Sequence, residues 1–256
     1  HYISYLLIKF YYFFVNKIAL LIAAKFENTE IINVFLSRIN FIGEMYQYCK
    51  KITEINIPLS IQEIGDYAFD NCSSLQKITM SSSVIKIGIC AFKECRSLKE
   101  IEISSGISSI SESCYTKCLS LTKVIIPHSV TKIEDFSFAY CCKLREINLH
   151  PSLISLGKHC FSGCSSLENV SIPSSIAILE NSLFESCRSL KTVNGSFNII
   201  NEQCFSGCTS LIRVNSQSTI RDIKKSSFQN CLLLESIPNL SSITVICERS
   251  FFKCSS

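Results

Sequence analysis

Charge is scarce in this 256-residue chain: Asp, Glu, Lys and Arg together make up 18% of it. No stretch gathers one sign into a block. The 25 Lys and Arg against 21 Asp and Glu leave a formal charge of +4 spread along the whole sequence. Such a surface offers no basic stripe for a phosphate backbone, so no nucleic acid partner is expected. The residues of catalysis are few as well. The only histidines are His1, His128, His150 and His159, and the only aspartates are Asp66, Asp70, Asp135 and Asp222. There is no G-x-S-x-G, no phosphate loop and no H-E-x-x-H, and the many serines and threonines sit where turns would use their hydroxyls. Nor is there a C-x-x-C pair. Cys114 with Cys118, Cys160 with Cys164, and Cys204 with Cys208 are four apart and have no finger-like histidine partners, which excludes the usual zinc frameworks. No enzyme activity, metal or cofactor is therefore expected. Apolar residues reach 47%, which also excludes a disordered tail.

What is present is a lattice. Cys49, Cys72, Cys95, Cys118, Cys141, Cys164 and Cys187 follow one another at intervals of 23; Cys208 comes after 21, and Cys231 and Cys254 after 23 each. Three residues before each stands an aromatic: Tyr46, Phe69, Phe92, Tyr115, Phe138, Phe161, Phe184, Phe205, Phe228 and Phe251. Three after, from Leu75 to Leu234, stands a leucine. Six after stands Ile or Val, and eight after usually another apolar residue. A period of this length marks a solenoid of short repeats.

Each position has a physical reading. Residues six and eight after the cysteine alternate with polar ones, as in Glu100-Ile101-Glu102-Ile103, the period of a strand with one buried face. Pro58, Pro127 and Pro173 follow such strands, where a missing amide proton does no harm. A second alternating stretch, 60–64 or 129–133, is read as extended across another face. The part around Ala68-Phe69 is too short for an α-helix and is expected to be one helical or 3-10 turn whose aromatic plugs the core. One unit cannot bury its apolar side alone, whereas stacked neighbours can. The expected fold class is thus a leucine-rich-repeat solenoid over residues 41–256, about nine repeats, with a short parallel strand per 23-residue coil and turns or short 3-10 or helical segments between. The interval of 21 before Cys208 predicts a shortened turn over 194–199, with the strand containing Val193 kept.

For the cysteine ladder two readings stand: reduced, compact core filler with a weak donor, or some disulfides between coils, whose spacing near 5 Å would permit them. The first is preferred.

The outward strand positions, five and seven after the cysteine, form the candidate binding face: Glu54, Asn56, Lys77, Thr79, Glu100, Glu102, Lys123, Ile125, Glu146, Asn148, Asn169, Ser171, Arg213 and Asn215. From Glu54 to Glu146 the first row alternates in sign. That pattern either supports register between coils, at about 0.2 to 1 kcal/mol per exposed pair, or serves a protein or glycan ligand, since repeat proteins present extended surfaces. The lack of aromatics weakens the glycan version. Sequons at Asn71, Asn169, Asn194 and Asn239 permit glycosylation without arguing for it.

Residues 1–40 are read as an apolar N-terminal segment. The run 2–24 is long enough to cross a bilayer, but Lys9, Asn16 and Lys17 interrupt it. It is a decayed repeat, a cap or a remnant of a signal or anchor, with Ala23, Phe26, Ile32 and Val34 in degraded lattice slots, and membrane association stays open. His1 and the stop just past Cys254 suggest a piece of a longer chain, cut at its C-terminus.

The unit I-G-x-x-A-F-x-x-C-x-S-L-x-x-I-x-I-P, visible from Ile64 to Met80, Ile133 to Leu149 and Leu156 to Pro173, resembles the BspA-like class of leucine-rich repeats. That class occurs in surface antigens of oral bacteria and of trichomonad and amoeboid parasites. The resemblance implies a non-catalytic solenoid, at the cell surface or extracellular, that engages host, matrix or other surface proteins. An intracellular scaffold remains the alternative and suits reduced cysteines better.

Overall fold

The computed structural model describes residue 36, residues 39–237 and residues 240–255. The expectations for the run 2–24, for the decayed coil at Ala23, Phe26, Ile32 and Val34, and for the sequon at Asn239 lie outside the described residues.

Because the inward residues recur once per period, the chain winds into a series of coils in which like positions lie over one another. The front strands are Glu54–Asn56, Lys77–Thr79, Glu100–Glu102, Lys123–Ile125, Asn169–Ser171, Thr192–Gly195 and Arg213–Ser216. All paired neighbours among them are parallel and in lattice register, such as Glu54 opposite Lys77 and Glu100 opposite Lys123. A second row of two-residue parallel strands falls into three sheets: Phe41–Ile42, Glu63–Ile64 and Lys86–Ile87; Ser109–Ile110, Lys132–Ile133 and Ser155–Leu156; and Ile178–Leu179, Ile199–Ile200, Asp222–Ile223 and Val245–Ile246. The fold class is the solenoid read from the repeat.

The third side of each coil differs from the single helical turn expected. Among the described residues a 3-10 turn forms on this side only at Glu44–Tyr46; the other, Leu240–Ser242, lies between the two strand positions of a late coil. The later coils use two successive tight turns instead, each with a left-handed residue: Asn71 (φ 57°), Lys117 (φ 60°) and Phe136 (φ 57°) are among them, and glycine takes the position only at Gly163 and Gly207. Those turns aim alternate amides at the next coil. Phe69 N–H donates to Ala91, and Asn71 N–H to Lys93, at 2.8 and 2.7 Å. Seventeen non-glycine residues in the left-handed region among the described residues mean that inter-coil hydrogen bonding outweighs a cost of about 1 to 2 kcal/mol per residue.

The core is a column of side chains, and its centre is the aromatic position. Ten rings from Tyr46 to Phe251 stack face to face, with centroids 5.0 to 5.8 Å apart and planes within 18°. All but Phe251 are fully buried. Beside the rings runs the cysteine ladder. From Cys72 on, each ladder thiol donates to the carbonyl of the aromatic residue one coil earlier: Cys72 to Tyr46 at 2.9 Å, Cys164 to Phe138 at 3.2 Å, Cys187 to Phe161 at 3.1 Å and Cys254 to Phe228 at 3.1 Å. All sixteen cysteines are free thiols. Burial first, then neighbouring thiols, holds Cys118, Cys141 and Cys187 far above the ordinary thiol pKa, so they keep the proton they donate. Cysteine suits the slot because it is small, apolar and still satisfies a buried carbonyl.

The glycine of the I-G step is set by close approach. A Cβ on Gly88 would stand 2.4 Å from the amide nitrogen of Asp66, and one on Gly157 2.4 Å from that of Asp135. Those aspartates in turn accept from the amides of Ile89 and Lys158, both at 2.8 Å.

At the lattice fault the strand holding Val193 is kept and lengthened to Thr192–Gly195. Volume is restored by one substitution. The inward slot filled by Ile61, Val84, Ile107, Val130, Leu153 and Ile176 in earlier coils holds Phe197, fully buried. Gly195 makes room for it, since a Cβ there would meet the ring at 2.9 Å.

Candidate functional site

Alternation along each front strand leaves the inward residue buried and its neighbours in solvent, as the buried Ile55, Ile78, Ile101, Val124, Ile147, Val170 and Val214 show. Glu54, Asn56, Lys77, Thr79, Glu100, Glu102, Lys123, Ile125, Glu146, Asn148, Asn169, Ser171, Arg213 and Asn215 are all exposed on that one face. Parallel register brings Glu54 beside Lys77, Glu100 beside Lys123, and Asn194 beside Ser171 and Asn215.

Proximity by register does not become pairing throughout. Among the described residues, none of Glu54, Lys77, Glu100, Glu102, Lys123 and Glu146 takes part in an ion pair within 4.0 Å. The register-support reading of the charge row therefore lacks the contacts it requires. The C-terminal half of the same face satisfies itself. Thr192 Oγ1 donates to Asn169 Oδ1 at 2.5 Å, Asn215 Nδ2 to Asn194 Oδ1 at 2.9 Å, Lys191 pairs with Glu168 at 2.8 Å, and Arg213 with Glu235 at 3.5 Å.

The main chain divides the same way. From Asn169–Ser171 through Arg213–Ser216 the front ladder is continuous, whereas Lys77–Thr79 and Glu100–Glu102 belong to separate sheets. Residues 146–148 keep the inward Ile147 but join no ladder at all. Two open hollows lie over these gaps. One, of about 590 Å³, is bordered by Glu54, Lys77, Thr79, Glu100, Glu102, Lys123 and Ile125; the other, of about 880 Å³, by Lys123, Glu146, Asn148, Asn169 and Ser171. Gln76, Lys99, Arg145 and Glu168 also line them. Sequence reasoning passed over that row, although it lies four residues after each cysteine and is as regular as the two rows it kept.

Other polar groups sit on the turn side. Glu94 accepts from Arg96 at 2.7 Å and from Lys117 at 2.9 Å; those two hydrogen bonds lower its pKa to about 2. His159, expected at a coil edge, stacks on Phe136 at 4.5 Å and lies 3.7 Å from Glu185. Among the described residues no cluster of three or more His, Cys, Asp or Glu could hold a metal ion, and no helix is long and apolar enough to cross a membrane.

The period, the thiol ladder and the I-G step meet in a single sequence pattern, the BspA type leucine-rich repeat region, which matches residues 39–153 and 131–256 in six copies. The chain belongs to the BspA-type leucine-rich-repeat family. No curated protein sequence matches it. Among solved structures, this BspA-type solenoid resembles a leucine-rich repeat protein from Eubacterium ventriosum at 17% identity and a TM-score of 0.60, with 86% of this chain and 84% of that one covered. It also resembles the T. pallidum leucine-rich repeat protein, at 22% identity and 0.55 over 78% and 85% of the two chains. A third is a leucine rich cell surface protein from Faecalibacterium prausnitzii, at 24% identity and 0.51 over 84% and 75%. At these identities the likeness is one of fold.

Proposed function

We propose that this BspA-type solenoid is a non-catalytic, surface-associated module that recognises other proteins through its strand face. The observation that carries the reading is the row of exposed charges from Glu54 to Glu146, laid over two hollows and free of ion pairs. Exposed charges with no internal partner cost nothing in water and are available to a complementary surface, and a repeat array holds them at fixed spacing over several coils. Surface placement is supported by membership of the BspA-type family and by a shared fold with a protein described as a cell surface protein. Host, matrix and other surface proteins are the partner class. A glycan ligand is disfavoured, because the only large apolar side chain exposed among the face residues is Ile125 and no aromatic offers a sugar a stacking surface.

One observation favours a second reading. All sixteen cysteines are free, and thiols persist most readily in a reducing compartment; an intracellular scaffold would use the same face. Antibody labelling of source cells, intact and then permeabilised, separates the two. Labelling of intact cells, followed by capture of matrix or host-surface proteins by the purified chain, supports the surface module. Labelling only after permeabilisation refutes surface placement.

A further inference from the structure

The strand face is not uniform, and its asymmetry points to a particular kind of partner. In the C-terminal half, side chains bond to one another along the ladder, at Asn169 with Thr192 and Asn194 with Asn215. In the N-terminal half the strand pairing is interrupted, two hollows open, and charges of alternating sign stand without partners. We infer that the docking half is the region from Glu54 to Glu146, and that its occupant is a charged α-helix of a partner protein lying along the solenoid axis with lysine and glutamate alternating on its contact face. The inference rests on the protein-binding reading of the strand face.

Spacing selects the helix. Stacked coils repeat at about 4.8 Å where strands pair, and at 5.0 to 5.8 Å along the aromatic column. One turn of helix rises about 5.4 Å, so a residue on one helix face meets each coil in turn. Over four steps the drift from a 4.8 Å spacing is about 2 to 3 Å, within the reach of lysine and glutamate side chains. An extended strand presents the same face only every 6.8 Å or so and would be about 8 Å out over the same distance. Sign selects the pattern: Glu54, Lys77, Glu100, Lys123 and Glu146 reject an all-basic or all-acidic chain, because every attractive contact would be flanked by a repulsive one. Ile125, 43% exposed beside the first hollow, gives the helix an apolar footing.

The test is fluorescence anisotropy of the full 256-residue chain with three labelled, alanine-based helical peptides of equal length. One carries Lys and Glu in turn at i, i+4, i+7, i+11 and i+14; the second has the same residues in two blocks; the third carries Lys alone. The alternating peptide should bind at least tenfold more tightly than the other two. Glu100→Gln with Lys123→Gln should weaken it at least tenfold, and Glu54→Gln with Lys77→Gln should weaken it too, with melting temperatures unchanged. Thr192→Ala with Asn215→Ala should leave it within twofold. Equal affinity for the three peptides, indifference to the glutamine variants, or no binding would overturn the inference. Should the Glu100→Gln/Lys123→Gln chain capture matrix or host-surface proteins as well as the native chain does, the helical occupant is wrong while the protein-binding reading survives; capture by neither chain removes both.

Discussion

Replacing Phe161 by alanine should cost the solenoid about 3 to 5 kcal/mol. The ring is fully buried and lies between Phe138 at 5.8 Å and Phe184 at 5.7 Å, with both planes within 9° of its own. Alanine removes its buried area, ends two stacking contacts worth about 0.5 to 1.5 kcal/mol each beyond area, and leaves a void that the flanking coils cannot close. Each coil is anchored by its own thiol and amide bonds, Cys164 to Phe138 and Cys187 to Phe161 among them, so collapse into the gap would break them. The upper half of the range is therefore expected. Phe251 provides the internal control, being half-buried with one ring neighbour among the described residues, and its alanine variant should lose less than half as much. Urea unfolding followed by far-UV circular dichroism reads both. Because stability in an array is a sum over coils and their interfaces, Phe161→Ala should also broaden the transition or divide it. A loss below 1 kcal/mol for Phe161→Ala, or a larger loss for Phe251→Ala, would refute the idea that the aromatic column is the main support of the fold.

Gly157→Ala should destabilise by about 1 to 3 kcal/mol through overpacking, because the new methyl would meet the Asp135 amide nitrogen at 2.4 Å; Gly207→Ala, whose methyl would come no nearer than 3.3 Å to Ser186 Oγ but whose φ is +75°, should cost about 1 to 2 kcal/mol, and thermal melts will rank them. Quantifying thiols with an aromatic disulfide reagent should show no more than four reacting quickly in the native chain, the half-buried Cys49, Cys142, Cys247 and Cys254, and all sixteen after denaturation; fewer than sixteen would reveal disulfides. Glu94 has its pKa lowered from 4.5 to about 2 by Arg96 and Lys117, so the stability it contributes is complete above pH 4.5 and is lost as pH falls through 2. Glu94→Gln should accordingly lower stability at pH 7 and flatten the acid limb of the pH profile, and an unchanged limb would show that the carboxylate pairs equally well in the unfolded chain. Tyr115→Phe should be neutral or stabilising by up to about 1 kcal/mol, since its buried hydroxyl has no hydrogen-bond partner.

How much could be read in advance varies with how local the governing physics is. The inward positions were legible because burial repeats with the sequence: a residue type held at one place in every period must meet the same surroundings in every coil, so the aromatic column, the thiol ladder and the outward rows follow from counting. The turn conformation was not legible. Nothing in Lys117 or Phe136 announces a left-handed backbone, which is imposed by the amides they must offer to the next coil. Phe197 was equally hidden, because its role appears only when a coil two residues shorter has to fill the same cross-section.

The sequence by itself determined the repeat, its period, the family and which side chains point out, all of which depend on one coil being like the next. Only the tertiary structure decided which exposed charges pair, where the front ladder opens and which thiol meets which carbonyl. Those outcomes depend on a few tenths of an ångström between neighbouring coils, where hydrogen bonds and ion pairs strengthen or vanish, and the one-letter pattern carries no record of that distance.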